Sequence, residues 1–125
     1  MSSVFTKIIR GEIPSYKVYE DERTFAFLDI HPESRGHLLV VPKVEVDKFY
    51  DLSEEDYVAL WGTVKKLALH MEGVLGQRTI LKIIGTDVPH VHIHLMPLDP
   101  TWKHGRVLEL TDEEMQEIAL SLQLD

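Results

Sequence analysis

Hydrophobic positions recur along the chain in two rhythms, one of period two and one of period 3.6, and these divide it into strands and helices. Residues 16–20 (Tyr-Lys-Val-Tyr-Glu) and 24–29 (Thr-Phe-Ala-Phe-Leu-Asp) read as short strands either side of Asp21-Glu22-Arg23. The second is apolar on both faces, as a central strand would be. A turn-rich stretch over 30–36 leads to a third strand, His37-Leu38-Leu39-Val40-Val41, which Pro42 closes. Two further strands are expected at 79–84 and from His90 to Met96.

The helical rhythm begins after Ser53, a good N-cap, with Asp56 three residues on as a weaker capping box. Tyr57, Leu60, Trp61, Val64, Leu67, Ala68 and Met71 then form an inward stripe, and Gly73 is expected to end the helix. Thr111 and Glu114 cap a short last helix whose Met115, Ile118, Ala119 and Leu122 face inward. The order β-β-β-α-β-β-α with short links predicts an α+β fold. Its expected form is an antiparallel five-stranded sheet with one long central helix and a short C-terminal helix, in a single domain over residues 1–125.

Composition narrows the function. The formal net charge is −8, which disfavours nucleic-acid polymers as partners. Much of the acid lies in Ser53-Glu54-Glu55-Asp56 and Thr111-Asp112-Glu113-Glu114, where carboxylates meet the positive end of a helix dipole. No run approaches the roughly 18 apolar residues of a membrane span, so no membrane partner is expected. There are no cysteines, which removes disulfides, thiolate zinc sites and cysteine nucleophiles. The first residues lack a leader pattern, and a cytoplasmic location is the expectation.

The sharpest chemical feature is Pro89-His90-Val91-His92-Ile93-His94-Leu95-Met96-Pro97. On a strand, His90, His92 and His94 share one face while Val91, Ile93 and Leu95 share the other. Neighbouring imidazoles then stand about 6–7 Å apart, close enough to converge on one phosphate-sized group. A lone histidine is commonly a satisfied core residue, but three side by side must each find hydrogen-bond partners and stay neutral, which points to function. Two chemistries suit the row. One is a metal site, although the outer pair lie about 13 Å apart, too far to share an ion at about 2.1 Å from each nitrogen. The other is nucleophilic attack on phosphorus by the middle residue, His92, with its neighbours on the phosphate oxygens. His31, His70 and His104 have no partners in the sequence and are expected at the surface.

Further stretches stand in register with that row: Phe5-Thr6-Lys7-Ile8-Ile9-Arg10-Gly11-Glu12-Ile13-Pro14, Val18-Tyr19-Glu20-Asp21, Ala26-Phe27-Leu28-Asp29-Ile30 with Pro32, and Gly36-His37-Leu38-Leu39-Val40-Val41-Pro42-Lys43. Together, over residues 3–43 and 79–97, they resemble the histidine triad (HIT) family. The resemblance implies a homodimer with the sheet continued across protomers, and a purine nucleotide substrate. It implies His92 as the nucleophile of a nucleotidyl-histidine intermediate, His90 and His94 as phosphate or orienting contacts, and His37 in support. Asp29 would hold the ribose hydroxyls, and Phe5, Ile8, Ile13, Phe27 and Ile30 would line the base pocket. A histidine at 94, where a transferase branch carries glutamine, points to hydrolysis. Such an enzyme, a nucleotide hydrolase or phosphoramidase, needs no cofactor; a nucleotide-binding regulatory or scaffold protein with little turnover is the alternative.

Two departures from the family pattern stand out. Zinc-binding members carry two cysteines where this chain has Ser3 and Thr6, and often a histidine where it has Glu45. These are poor zinc ligands, so no structural metal is expected. The loop Gly85-Thr86-Asp87-Val88-Pro89 is about four residues short and lacks the asparagine, glycines and glutamine that help to bind phosphate in the family.

Overall fold

A computed structural model describes residues 2–125. Its elements run α1 (Val4–Ile9), β1 (Lys17–Glu20), β2 (Thr24–Leu28), β3 (Leu38–Pro42), a 3-10 turn (Phe49–Asp51), α2 (Glu54–Leu75), β4 (Thr79–Lys82), β5 (Ile93–Pro97) and α3 (Asp112–Leu122). The strands form one five-stranded sheet in the order β1-β2-β3-β5-β4, with every neighbouring pair antiparallel. The expected α+β architecture is present, with the long helix and the short C-terminal helix where the pattern put them.

Period-two alternation makes the sheet two-faced. Ala26 and Leu28 of β2, Leu38 and Val40 of β3, and Ile93 and Leu95 of β5 pack with Leu60, Val64, Leu67 and Met71 of α2 and with Met115, Ala119 and Leu122 of α3. Phe25, Phe27, Leu39 and Val41 look the other way and pack with Phe5 of α1. Both faces of β2 are covered, which is why its sequence is apolar throughout. His94 pairs across the ladder with Leu39 and so lies on the face that α1 covers.

Several boundaries differ from the sequence expectation. The α2 helix passes through Gly73 and ends at Gly76, whose φ of 67° supplies the left-handed cap and whose N–H bonds the Glu72 carbonyl at 2.8 Å. A mid-helix glycine costs only about 1 kcal/mol, so it does not stop a helix that is packed on both sides of it. Tyr57 is 41% exposed rather than inward, whereas Thr63, outside the expected stripe, is buried and its hydroxyl meets that of buried Thr24 at 2.8 Å. β4 is two residues shorter than expected, and His37 precedes β3 rather than starting it. β5 begins at Ile93, so His90–His92 lie ahead of the ladder. The reason lies on the opposite strand: the Pro42 carbonyl is taken by the His90 ring at 2.8 Å instead of by a strand amide. α1 had no forecast, because its apolar residues are too few to show a helical period. His31 and His104 are exposed as expected, whereas His70 is half-buried.

Gly36 fixes the approach to His37. Its φ is 106°, and an added Cβ would stand 3.2 Å from Leu75 Cδ1 and 3.4 Å from Leu122 Cδ1. Gly36→Ala should therefore destabilise the fold by about 1–3 kcal/mol, read from denaturant melts. A variant as stable as the wild type would show that the turn relaxes without strain.

Candidate active site

Beneath α1, on the face of the sheet away from α2, lies a cavity of about 300 Å³, within the range of small-molecule pockets. Its walls include Phe5, Ile8, Ile13, Phe27, Asp29 and Ile30, all six of the residues expected around a nucleoside, and also His92 and His94. His90 and His37 do not line it. They stand behind the two histidines that do, and each is bonded to one of them.

The ring roles follow from what each nitrogen faces. The His90 carbonyl is 2.7 Å from His92 Nδ1 and can only accept, so Nδ1 carries the proton and the Nε2 lone pair of His92 is free. His37 Nδ1 accepts the Glu33 backbone N–H at 2.9 Å. Neutral His37 therefore holds its proton on Nε2, which stands 2.9 Å from His94 Nδ1 and 3.4 Å from Asp29 Oδ2. His94 in turn keeps its proton on Nε2, a buried atom with no partner among the described residues. An unfree lone pair would prevent attack and a satisfied donor would prevent anion binding; this site has a free lone pair and a spare donor on adjacent rings, whose centroids are 5.3 Å apart.

Burial disfavours the charged form of His37, His94 and His90. It drives His37 down to about 4 against the pull of Asp29, and it lowers His94 with help from His92 and lowers His90 despite the Pro42 carbonyl. Asp29 serves two surroundings. Oδ1 accepts the His31 N–H at 2.8 Å, while Oδ2 lies near His37 and 3.7 Å from His94.

Sequence reasoning missed two neighbours. Asp87 of the short loop lines the cavity, and its carboxylate, His92 and His94 offer ligand atoms all within 4.8 Å of one another. Lys82 pairs with His94 across the β4–β5 ladder and bonds Glu33 at 2.7 Å, with the Trp102 ring 5.5 Å away. The ladder position of Lys82 was readable from strand spacing, but the fold of the loop that carries Glu33 was not.

The zinc positions of the family can be tested directly. Ser3, Thr6 and Glu45 do come together, beside His90, but they are already bonded to one another and to that ring. Ser3 Oγ stands 2.7 Å from His90 Nδ1, and Glu45 Oε1 accepts both the Ser3 N–H and the Thr6 hydroxyl at 2.6 Å. Two hydroxyls, a carboxylate oxygen with two donors and an imidazole nitrogen facing a hydroxyl do not fit a zinc ion.

Neutral, buried His37 makes stability depend on pH. Its folded value of about 4 lies below the unfolded value near 6.5, so the unfolded chain binds more protons between them. The stability that His37 contributes should fall away as pH drops from about 6.5 to about 4, with no further loss from this group below. Denaturant midpoints across that window test this, and His37→Asn should flatten the slope; an equal slope in the variant would remove His37 as its source.

The HIT domain family pattern matches residues 10–101. A HIT-like protein of Methanocaldococcus jannaschii, itself uncharacterized, is 40% identical over 99 residues, 75% of this chain and 77% of the relative. The adenosine 5'-monophosphoramidase of Schizosaccharomyces pombe is 39% identical over 107 residues, 84% of this chain and 80% of that protein. A crystal structure of a HIT-like protein from Bartonella henselae superposes with a TM-score of 0.87 at 28% identity, covering 98% of this chain and 94% of that one. With the alternating histidines, the sheet order and these likenesses in agreement, the chain belongs to the HIT family.

Proposed function

We propose that this chain hydrolyses a purine nucleoside phosphoramidate or nucleotidyl ester at its α-phosphorus and releases the nucleoside monophosphate. The observation that carries the reading is the pairing of a free His92 Nε2 lone pair with the unpartnered Nε2–H of His94. In the first step His92 Nε2 bonds to phosphorus while the bond to the leaving nitrogen or oxygen breaks, the leaving group takes a proton from solvent water, and the Nε2–H of His94 donates to a phosphate oxygen. The positive charge on the substituted His92 ring is eased by its Nδ1–H bond to the His90 carbonyl. In the second step a water oxygen bonds to phosphorus, the bond to His92 breaks so that His92 is again neutral, and the proton the water loses passes to solvent. The sum is one water consumed, one monophosphate and one leaving group released.

The apolar residues Phe5, Ile8, Ile13, Phe27 and Ile30 suit a purine base, and Asp29 suits the ribose hydroxyls. The name of the Schizosaccharomyces pombe relative supports the phosphoramidate end of this range. The chain's −8 charge supports a small nucleotide over a nucleic-acid polymer. No helix among the described residues is long and apolar enough to cross a membrane, and the cysteine-free composition suits the cytoplasm. A nucleotide-binding protein with little turnover is the second reading, and the altered loop before the histidines, whose Asp87 stands beside His92 and His94, is the feature behind it.

Release of adenosine monophosphate from adenosine phosphoramidate separates the two. Wild type should turn over, and His92→Asn should retain less than a few percent of the rate with its fold and nucleotide binding kept. Binding without turnover in the wild type would establish the second reading, and an active His92→Asn would remove His92 as nucleophile. Asp29→Ala should weaken adenosine monophosphate far more than its 2'-deoxy counterpart, by roughly tenfold for a hydrogen bond to a charged group; equal losses would end the ribose role.

We also read the protein as a homodimer. Strand β4 is an open edge of the sheet, and it and the neighbouring α2 leave Leu81 45%, Val58 62% and Leu69 65% exposed. Sedimentation should give twice the chain mass of 14.4 kDa, and Leu81→Lys should shift it toward the monomer; a wild-type monomer at micromolar concentration would exclude the assembly.

A further inference from the structure

We propose that Ser3, Thr6 and Glu45 form a metal-free latch that seats α1 on the histidine segment and, through His90, holds the ring of His92. Four observations converge on it. The first is that α1 has only six residues, far fewer than an isolated helix needs, so outside contacts must hold it. The second is the latch itself. Ser3 Oγ accepts the Thr6 N–H at 3.1 Å as N-cap and meets His90 Nδ1 at 2.7 Å, while Glu45 Oε1 takes the Ser3 N–H and the Thr6 hydroxyl at 2.6 Å each.

The third is the grip on His90 from both sides. Its Nε2–H donates to the Pro42 carbonyl at 2.8 Å, so Nδ1 is an acceptor and the Ser3 hydroxyl is its donor. The fourth is where His90 sits. It lies three residues before β5 begins, outside the ladder, so its peptide is held by loop contacts rather than by a strand neighbour. Yet its carbonyl is the group that orients His92, at 2.7 Å. Fixing the ring from both sides fixes the backbone that carries that carbonyl. The Val91 N–H bond to the Val46 carbonyl, 2.8 Å, ties the strip bearing Glu45 to the same segment.

The latch thus does two jobs with one set of hydrogen bonds. It closes the wall that α1 contributes to the cavity, through Val4, Phe5 and Ile8, and it steadies His92 from behind. Ser3, Thr6 and Glu45 are positioning residues, since each acts through His90 or α1. Their effect on rate rests on the reading of His92 as nucleophile, whereas the latch as a contact does not.

The test compares full-length wild type, Ser3→Ala and Ser3→Thr by three readouts: thermal melts with and without chelator or added zinc, the downfield imidazole N–H signal of His92 in proton NMR, and kcat and KM for adenosine phosphoramidate. Chelator and zinc should leave the wild-type melt and rate unchanged. Ser3→Ala should lower Tm by several degrees, broaden the His92 N–H signal, and lower kcat by about tenfold, the size of effect seen when a group behind a functional ligand is lost. Ser3→Thr, which keeps the hydroxyl, should restore the signal and most of the rate. Stoichiometric zinc in the wild type, or a chelator-dependent melt, would overturn the metal-free latch. A Ser3→Ala protein with lower Tm but an unaltered His92 signal and kcat would reduce the latch to a helix anchor. A wild type without turnover would sink the hydrolase reading, while the melts and the N–H signal would still decide the latch.

Discussion

Burying imidazoles side by side is tolerable only when every ring nitrogen has a fixed donor or acceptor role and none of the rings is charged. His90, His92, His94 and His37 are all nearly inaccessible to solvent, and a single wrong tautomer would set two donors or two lone pairs against each other. The fold resolves this with groups of unambiguous sign. The Pro42 and His90 carbonyls force the protons of His90 and His92, and the Glu33 N–H forces that of His37 and, one step on, that of His94. Among the described residues this ordering leaves one lone pair and one N–H of the four rings unpartnered, on the two histidines that line the cavity. The chemistry is the residue of a hydrogen-bond accounting in which every other atom is committed.

That constraint explains the layout of the sheet. Aliphatic side chains on one face supply burial through α2 and α3, so the polar row can be placed on the opposite face without costing the core its packing. Phe5 of α1 then closes over the row, with its ring centroid 5.0 Å from that of His92 and 5.8 Å from that of His90. The same aromatic contact that dries the histidines also forms part of the cavity wall. Depressed basicity, an apolar pocket and a short helix are therefore one arrangement seen from three sides.

Much of this was legible in the order of residues, and the parts that were not share a cause. Strand alternation is local, so the common face of the histidines and the two-sided burial of β2 could be read directly. The cavity residues came from a family resemblance, and the fold brings all six to one place. Boundaries failed where a distant group intervened: β5 starts late because the Pro42 carbonyl, 48 residues from His90 in sequence, is already engaged. The α1 helix was invisible because tertiary contacts, not helical periodicity, hold it together. Ser3, Thr6 and Glu45 were recognised as departures from a metal site, but nothing in their spacing said that they would bond to one another. Asp87 was legible only as a member of the short loop; its approach to His92 and His94 needed the path of the loop.

The sheet order carries a consequence of its own. Strands β1, β2 and β3 form one sequence-local meander, and β4 and β5 form a second pair beyond the long α2 helix. The two are joined within the sheet by the β3–β5 ladder alone, which pairs Leu38–Val40 with Ile93–Leu95. His37 lies just before one side of that seam and His94 lies on the other, so their 2.9 Å contact exists only when the seam is shut. The halves can each hold their own hydrogen bonds and still have no site between them. Chemical competence is thus a reporter of the most sequence-distant pairing in the sheet, and a chain opened along this line would keep most of its secondary structure while losing the machine.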